Sequence, residues 1–319
     1  MKPVIYVTRK IPDDLLEPYR EYADFHMWEK EDTPVPRDVL LREAASADGV
    51  LCLLTESIDR EFLDVAGNLK IVANMAVGYD NIDVQAAKER DIVVTNTPDV
   101  LTETTADLTF ALLMATARGI VEATDYVREG RWKHWSPYLL AGSDVYGKKI
   151  GIVGMGRIGE AVARRAAGFH MPILYHNRSR KKTAEQELGA TYLAFADLLK
   201  EADYVVSLVP LTNDTQKLFN KNAFEQMKDS AIFINASRGG TVDEEALHEA
   251  LVNKQIRAAG LDVFDQEPIS PDHPLAKLDN TVCLPHIGSA SEETRSKMIN
   301  LCLDNLTAVL KGDTPITPV

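Results

Sequence analysis

The sequence predicts an α/β protein built from two doubly wound parallel sheets, and three observations lead there. Short apolar runs alternate with helix-period segments at intervals of about 20 residues, the pattern of parallel strands covered by helices. The alternation occurs twice, once before and once after a long apolar helix near residue 100. The 319 residues, 45% hydrophobic and 26% charged, suffice for two ordinary globular cores.

The first series contains the strand candidates "VIYVTR", "GVLCLLT", "KIVANMAVGYD" and "IVVTNTP". Helix candidates "PDDLLEPYREY", "PRDVLLREAASA" and "NIDVQAAKERD" lie between them. A continuous helical pattern, "LTETTADLTFALLMATARGIVEATDYVREG", follows; its stretch Thr102 to Arg118 is apolar nearly all round and is expected between layers or subunits. The segment "RWKHWSPYLLAGSDVYG" then breaks periodicity and reads as an aromatic-rich functional or interface loop. The second series holds six strand candidates: "KIGIVG", "PILYHN", "ADYVVSLVP", "SAIFINAS", "RAAGLDVF" and "NTVCLPH". A last helix begins at a capping-box-like Ser291-Glu292-Glu293-Thr294 and stops at Gly312.

Thirty-five basic against forty-eight acidic residues give a formal charge of -13, a field that disfavours nucleic acid as a partner. No apolar run approaches the length of a membrane span, and the start resembles no signal peptide, so a cytoplasmic protein without membrane attachment is expected. Cys52, Cys283 and Cys302 are scattered in apolar surroundings and read as small core residues rather than a disulfide or zinc framework. No metal site is expected, because no second histidine stands at ligand spacing from the first candidate, His286.

Three features of the second series carry chemistry. Gly154, Gly156 and Gly159 follow a strand and open a helix, the context in which G-x-G-x-x-G binds a dinucleotide. Gly154 permits the turn, Gly156 the approach of a pyrophosphate and Gly159 the close packing of the helix. The amides of Met155, Arg157 and Ile158 and the helix dipole favour the anion. The next strand decides which dinucleotide. Where an NAD site carries a carboxylate, this chain reads His176, Asn177, Arg178, Ser179, Arg180, Lys181, Lys182. Asn177, Arg178, Ser179 and Arg180 suit a 2′-phosphate, so NADP(H) is the preferred cofactor and NAD(H) the second choice.

Arg238, Glu267 and His286 each stand just beyond a strand, at the end of the sheet where open α/β proteins bind ligands. Carbonyl reduction needs a hydride donor, a proton donor and a cation that orients the substrate. The cofactor supplies the hydride, His286 the proton and Arg238 the cation. Glu267 on the second ring nitrogen would fix the tautomer and favour the protonated ring.

"VGMGRIG", "INASRGG", "GLDVFDQEP" and "LPHIGSA" together resemble the D-isomer-specific 2-hydroxyacid dehydrogenases over nearly the full length. "MAVGYDNID", "NTPDVLTETTADLTFALLMATARG" and "NRSRK" are similar to the glyoxylate/hydroxypyruvate reductase branch, which includes 2-ketogluconate reductases. The resemblance implies a Rossmann dinucleotide-binding domain over 101–287 and a smaller flavodoxin-like substrate domain formed by 1–100 with 288–319. It also implies Arg238, Glu267 and His286 as the catalytic set, with Val77 and Gly78 amides on the substrate carboxylate and Leu53 and Ser289 beside the substrate. Ala236, Arg238, Asp262, His286 and Gly288 would border the nicotinamide, and Pro210 the middle of the cofactor. A homodimer is implied, with Trp135 reaching the neighbouring subunit's site. Other readings are a phosphoglycerate, formate or phosphite dehydrogenase of the same family, or a dinucleotide-sensing corepressor-like protein.

Overall fold

The computed structural model describes residues 2–319, which fall into two compact units, 2–101 with Ala290–Val319 and Thr102–Ser289. In the first unit β1 (Val4–Val7), β2 (Asp24–Met27), β3 (Gly49–Cys52), β4 (Ile71–Asn74) and β5 (Val93–Thr95) form one parallel sheet of order β2-β1-β3-β4-β5. β3 and β4 are buried at every position, which explains their unbroken apolar sequence. β2 was not expected: it is an edge strand whose residues Asp24-Phe25-His26-Met27 alternate between exposed and half-buried, so it lacks the apolar run of its neighbours. The short helix Arg60–Val65, capped by the Asp59 carboxylate on the Phe62 amide, was also not read from the sequence.

The final helix, Glu292–Lys311, starts as expected, with Ser291 Oγ accepting from the Thr294 amide, and ends at left-handed Gly312. It packs on this first sheet so closely that a Cβ on Gly49 would lie 2.8 Å from the Leu306 side chain. That contact explains why the last thirty residues belong to the first unit.

The second unit has seven parallel strands: β6 (Ile150–Val153), β7 (Ile173–His176), β8 (Thr191–Tyr192), β9 (Tyr204–Ser207), β10 (Ile232–Asn235), β11 (Ala258–Leu261) and β12 (Thr281–Cys283). The order β12-β11-β10-β9-β6-β7-β8 reverses direction between β6 and β9, the switch point at which such sheets bind ligands. Six of these strands match the apolar runs of the sequence; β8, two residues long, left no run to read. The helices Thr102–Arg118 and Arg157–Gly168 cover one face, and Phe195–Glu201, Lys221–Glu225 and Glu244–Val252 the other.

Thr102–Arg118 is buried along one side through Ala106, Phe110, Leu112, Leu113 and Ala117. The helical pattern that continues past it is broken at Gly119, whose φ of +57° ends one helix and starts another, Ile120–Arg128. The segment beyond has no helix or strand before β6, in keeping with its broken periodicity. Ile120, Val121 and Val127 of the helix Ile120–Arg128 and Trp132, Trp135 and Tyr138 of the segment after it are all exposed, Trp135 to 76%.

Candidate active site

The glycine turn follows β6 at the switch point. Gly154 has a φ of +104°, a conformation that L side chains rarely adopt, and a Cβ there would lie 2.6 Å from the Leu208 backbone. A Cβ on Gly159 would approach the Gly154 carbonyl oxygen to 2.3 Å, so the helix sits on the turn only because residue 159 is glycine. Gly156 differs from both, because no atom lies within 4 Å of where its Cβ would be. It is the N-cap of Arg157–Gly168 and no side chain caps that helix end. The outcome is an open, uncapped helix N-terminus with bare backbone at its mouth, which fits the pyrophosphate of a dinucleotide.

The strand-end segment after β7 is shaped by its own side chains. Asn177 Nδ2 donates to the Ser179 carbonyl at 3.2 Å. Arg180 is held by Glu185, through Nε at 2.9 Å and a terminal nitrogen at 2.7 Å, and Glu185 also accepts from the buried Tyr175 hydroxyl at 2.6 Å. Those two donors, Arg180 first, hold the Glu185 carboxyl down at about 2, so it is charged throughout the working range. Arg178 and Ser179 are exposed beside this clamp. The competition from Glu185 for Arg180 was not foreseen; the signal was its spacing, five residues on in the first turns of the next helix.

Arg238, Glu267 and His286 follow the neighbouring strands β10, β11 and β12. His286 Nδ1 lies 2.7 Å from Glu267 Oε2, and both side chains are about a quarter exposed (24% and 25%). The second carboxylate oxygen accepts from the Phe264 amide at 2.9 Å. Burial pushes the Glu267 carboxyl upward, but the His286 hydrogen bond and charge, the Phe264 amide and the Arg238 charge outweigh it, leaving it below the usual carboxylate range. A carboxylate so held makes Nδ1 the donor and leaves Nε2 as the working nitrogen.

The histidine backbone is itself unusual, with a φ of +53°, a left-handed conformation that costs a non-glycine residue energy. Asp262, 1% exposed just beyond β11, holds that turn by accepting from the Ile287 amide at 2.8 Å, with Gly288 beside its carboxylate. Its burial pushes the Asp262 carboxyl up, against the lowering by the Ile287 amide and by His286. Ala236, expected beside the cofactor, is half-buried at the same strand ends, whereas Pro210 is exposed and its carbonyl accepts from Thr215 Oγ1 at 2.6 Å.

The Arg238 turn is tied into β10 by Asn235, whose Nδ2 donates to the Arg238 carbonyl at 3.0 Å while its Oδ1 accepts from Ser237. Gly239 couples this turn to the next. A Cβ there would fall 1.7 Å from the Phe264 carbonyl carbon and 2.2 Å from the Asp265 nitrogen. The backbone beside Arg238 thus rests directly on the Phe264–Asp265 peptide, next to the Phe264 amide that holds Glu267. The glycine doublet after Arg238 was visible in the sequence, but not what it touches.

In the first unit, the Val77–Gly78 segment follows β4. The Ala76 carbonyl accepts from the Thr97 amide at 2.8 Å and the Val77 carbonyl from Asn96 Nδ2 at 2.8 Å. Because trans peptides are planar, tying those two carbonyls to the end of β5 turns the amides of Val77 and Gly78 to the opposite side. Asn74 Nδ2 donates to the Gly78 carbonyl at 2.9 Å and completes the support. Leu53 is half-buried, and its amide donates to the buried Glu56 carboxylate at 2.8 Å. Asn96 and Thr97 escaped sequence reading because each acts on the backbone of a distant loop, while Asn74 and Glu56 act on backbone four and three residues away.

The family model described as "D-isomer specific 2-hydroxyacid dehydrogenase, NAD binding domain" matches residues 110–288. A glyoxylate reductase of Korarchaeum cryptofilum is 51% identical over 99% of this chain and 95% of its own length. One of Thermococcus kodakarensis is 49% identical over 100% and 96%. Among solved structures, a Thermus thermophilus protein superposes with a TM-score of 0.93 at 46% identity, covering 99% of both chains. The NADPH-dependent glyoxylate/hydroxypyruvate reductase of Sinorhizobium meliloti, solved with NADP and malonate, gives 0.87 at 37% identity over 100% of this chain and 97% of its own.

Proposed function

Because the chain belongs to the D-isomer specific 2-hydroxyacid dehydrogenase family, and so is a nicotinamide-dependent oxidoreductase of small 2-oxo acids, we propose that it is an NADPH-preferring reductase of glyoxylate and hydroxypyruvate. The observation that carries the mechanism is the 2.7 Å pair of His286 and Glu267, beside Arg238, on strands adjoining the glycine turn. The proposed reaction is 2-oxo acid + NADPH + H⁺ → D-2-hydroxy acid + NADP⁺, with 2-ketogluconate as a further candidate substrate.

Gly154, Met155, Gly156, Arg157, Ile158 and Gly159 hold the pyrophosphate, and Arg178 and Ser179 take the 2′-phosphate with Asn177 and Arg180 beside them. Ala236, Asp262 and Gly288 border the nicotinamide and Pro210 the middle of the cofactor. The bound cofactor supplies the hydride. Arg238 orients and polarises the oxo acid, and the amides of Val77 and Gly78 bind its carboxylate, a main-chain anion site of the kind that paired N–H groups form. Leu53 and Ser289 complete the substrate contacts. His286 Nε2 gives its proton to the developing alkoxide, and Glu267, accepting from Nδ1, fixes the tautomer and orientation of the ring.

The 2–101 unit with the last helix is assigned to substrate and Thr102–Ser289 to dinucleotide binding. The exposed apolar side chains of 120–138 cover one another in a cytoplasmic homodimer, with Trp135 entering the partner subunit's site. Neither nucleic acid nor membrane is a partner in this reading.

The test is kcat/KM for glyoxylate, hydroxypyruvate and 2-ketogluconate with NADPH and with NADH. Sustained turnover of at least one acid, favouring NADPH by tenfold or more, is expected. Equal use of NADH removes the cofactor assignment, and absence of turnover with all three acids removes the substrate assignment.

A further inference from the structure

The stretch that delivers Glu267 has no regular structure of its own: β11 ends at Leu261 and the next element is the 3₁₀ turn Leu275–Lys277. A side chain on such a loop can be placed to a fraction of an ångström only if side-chain contacts pin the loop. The pivot is Phe264, whose amide belongs to the Val263–Phe264 peptide and whose carbonyl opens the Phe264–Asp265 peptide. The Phe264 amide fixes one Glu267 oxygen, so its orientation decides where the other oxygen meets His286.

That pivot is clamped from behind by a second acid–histidine pair. Glu244, in the first turn of the helix Glu244–Val252, accepts from the Asp265 amide through Oε1 at 2.8 Å. Its Oε2 lies 3.3 Å from His273 Nε2. His273 Nδ1 is buried without a partner among the described residues, so Nε2 is the ring nitrogen that faces the Glu244 carboxylate. The ring also packs edge-on to Phe264, with centroids 5.7 Å apart at 69°. One carboxylate thus joins the amide two residues before Glu267 to a ring six residues after it. Gly239 closes the other side of the same peptide.

We propose that Glu244 and His273 form a brace that fixes the Glu267 turn and so are positioning residues for proton donation by His286. This rests on the catalytic reading of Glu267 and His286 given above. Neither brace residue contacts the reacting groups in that reading; both act by holding the carboxylate in register with the imidazole. Loosening the brace slows proton transfer while leaving cofactor and oxo-acid binding in place, because misplacement of about 1 Å at a reacting group costs up to about 10²-fold in rate.

The experiment uses the full chain with glyoxylate and saturating NADPH, and reads kcat, both KM values and the solvent deuterium isotope effect on kcat. Glu244→Ala is expected to lower kcat about tenfold or more, to leave both KM values within about twofold, and to enlarge the isotope effect. Glu244→Gln keeps an acceptor for the Asp265 amide and recovers most of the loss. His273→Phe keeps the ring packed on Phe264 but removes the ring nitrogen facing Glu244; it moves kcat and isotope effect the same way by a smaller factor, and it carries the test if the alanine variant does not fold. Unchanged kcat and isotope effect in the folded variants, or a change confined to KM, overturns the brace. Glu267→Gln run in parallel separates the two readings. If it is impaired while Glu244→Ala is not, only the brace falls; if it is as active as the parent, the catalytic reading falls with it.

Discussion

Gly156 and Gly239 stand in turns at the same end of the same sheet, yet they are glycine for opposite reasons. Beside Gly156 the structure leaves space empty: nothing approaches its missing Cβ, and the helix end behind it is uncapped. Beside Gly239 there is no space at all, because the Phe264–Asp265 peptide occupies the place of a side chain. The first turn leaves bare backbone open, as the proposed dinucleotide site needs. The second is built so that two protein turns touch and their side chains, Arg238 and Glu267, hold a fixed separation.

Substitutions at these two turns should therefore fail differently. Gly239→Ala forces the Phe264 peptide to move by an ångström or more, and we expect kcat to fall about 10²-fold or further, with loss of thermal stability. Gly156→Ala should fold with an unchanged melting temperature while the dissociation constant for NADPH, read by fluorescence titration, rises about tenfold. A large loss of stability in Gly156→Ala would erase the distinction between the two turns. Arg178→Asp extends the comparison to the far end of the dinucleotide. It replaces a charge-assisted bond with repulsion and should lower kcat/KM for NADPH tenfold or more while sparing NADH, one lost charged hydrogen bond being about 1.5–3 kcal/mol.

The smallest effect concerns pH. The Glu267 carboxyl is held below its ordinary 4.5 in the folded chain. A depressed folded value adds stability above the unfolded value and loses it as pH falls through the folded one. The stability gap between the parent and Glu267→Gln, measured by urea unfolding, should shrink as pH falls below the ordinary 4.5. A gap that grows below that pH would contradict the assigned electrostatics.

Legibility in the sequence divides along the same line. Features made by local chain geometry were readable: the G-x-G-x-x-G turn, the buried apolar strands, and the Ser291 and Gly312 caps of the last helix. Arg238, Glu267 and His286 were readable as residues at strand ends, but not their spacing, because contacts across 19 to 48 residues depend on strand order. The edge strand β2 and the two-residue β8 were missed because half-exposed or very short strands carry no apolar run. The break at Gly119 was hidden by apolar periodicity that continues on both sides of it. Asn96 and Glu244 were invisible for another reason: they bond to backbone carbonyls and amides of remote loops, which have no residue signature.

The account stands on proton donation from His286, and single-turnover hydride transfer from saturating NADPH to glyoxylate in His286→Gln measures it most directly. A rate about 10²- to 10⁴-fold below the parent, with NADPH affinity retained, is the expected result. A rate within a few fold of the parent would show that the proton comes from elsewhere.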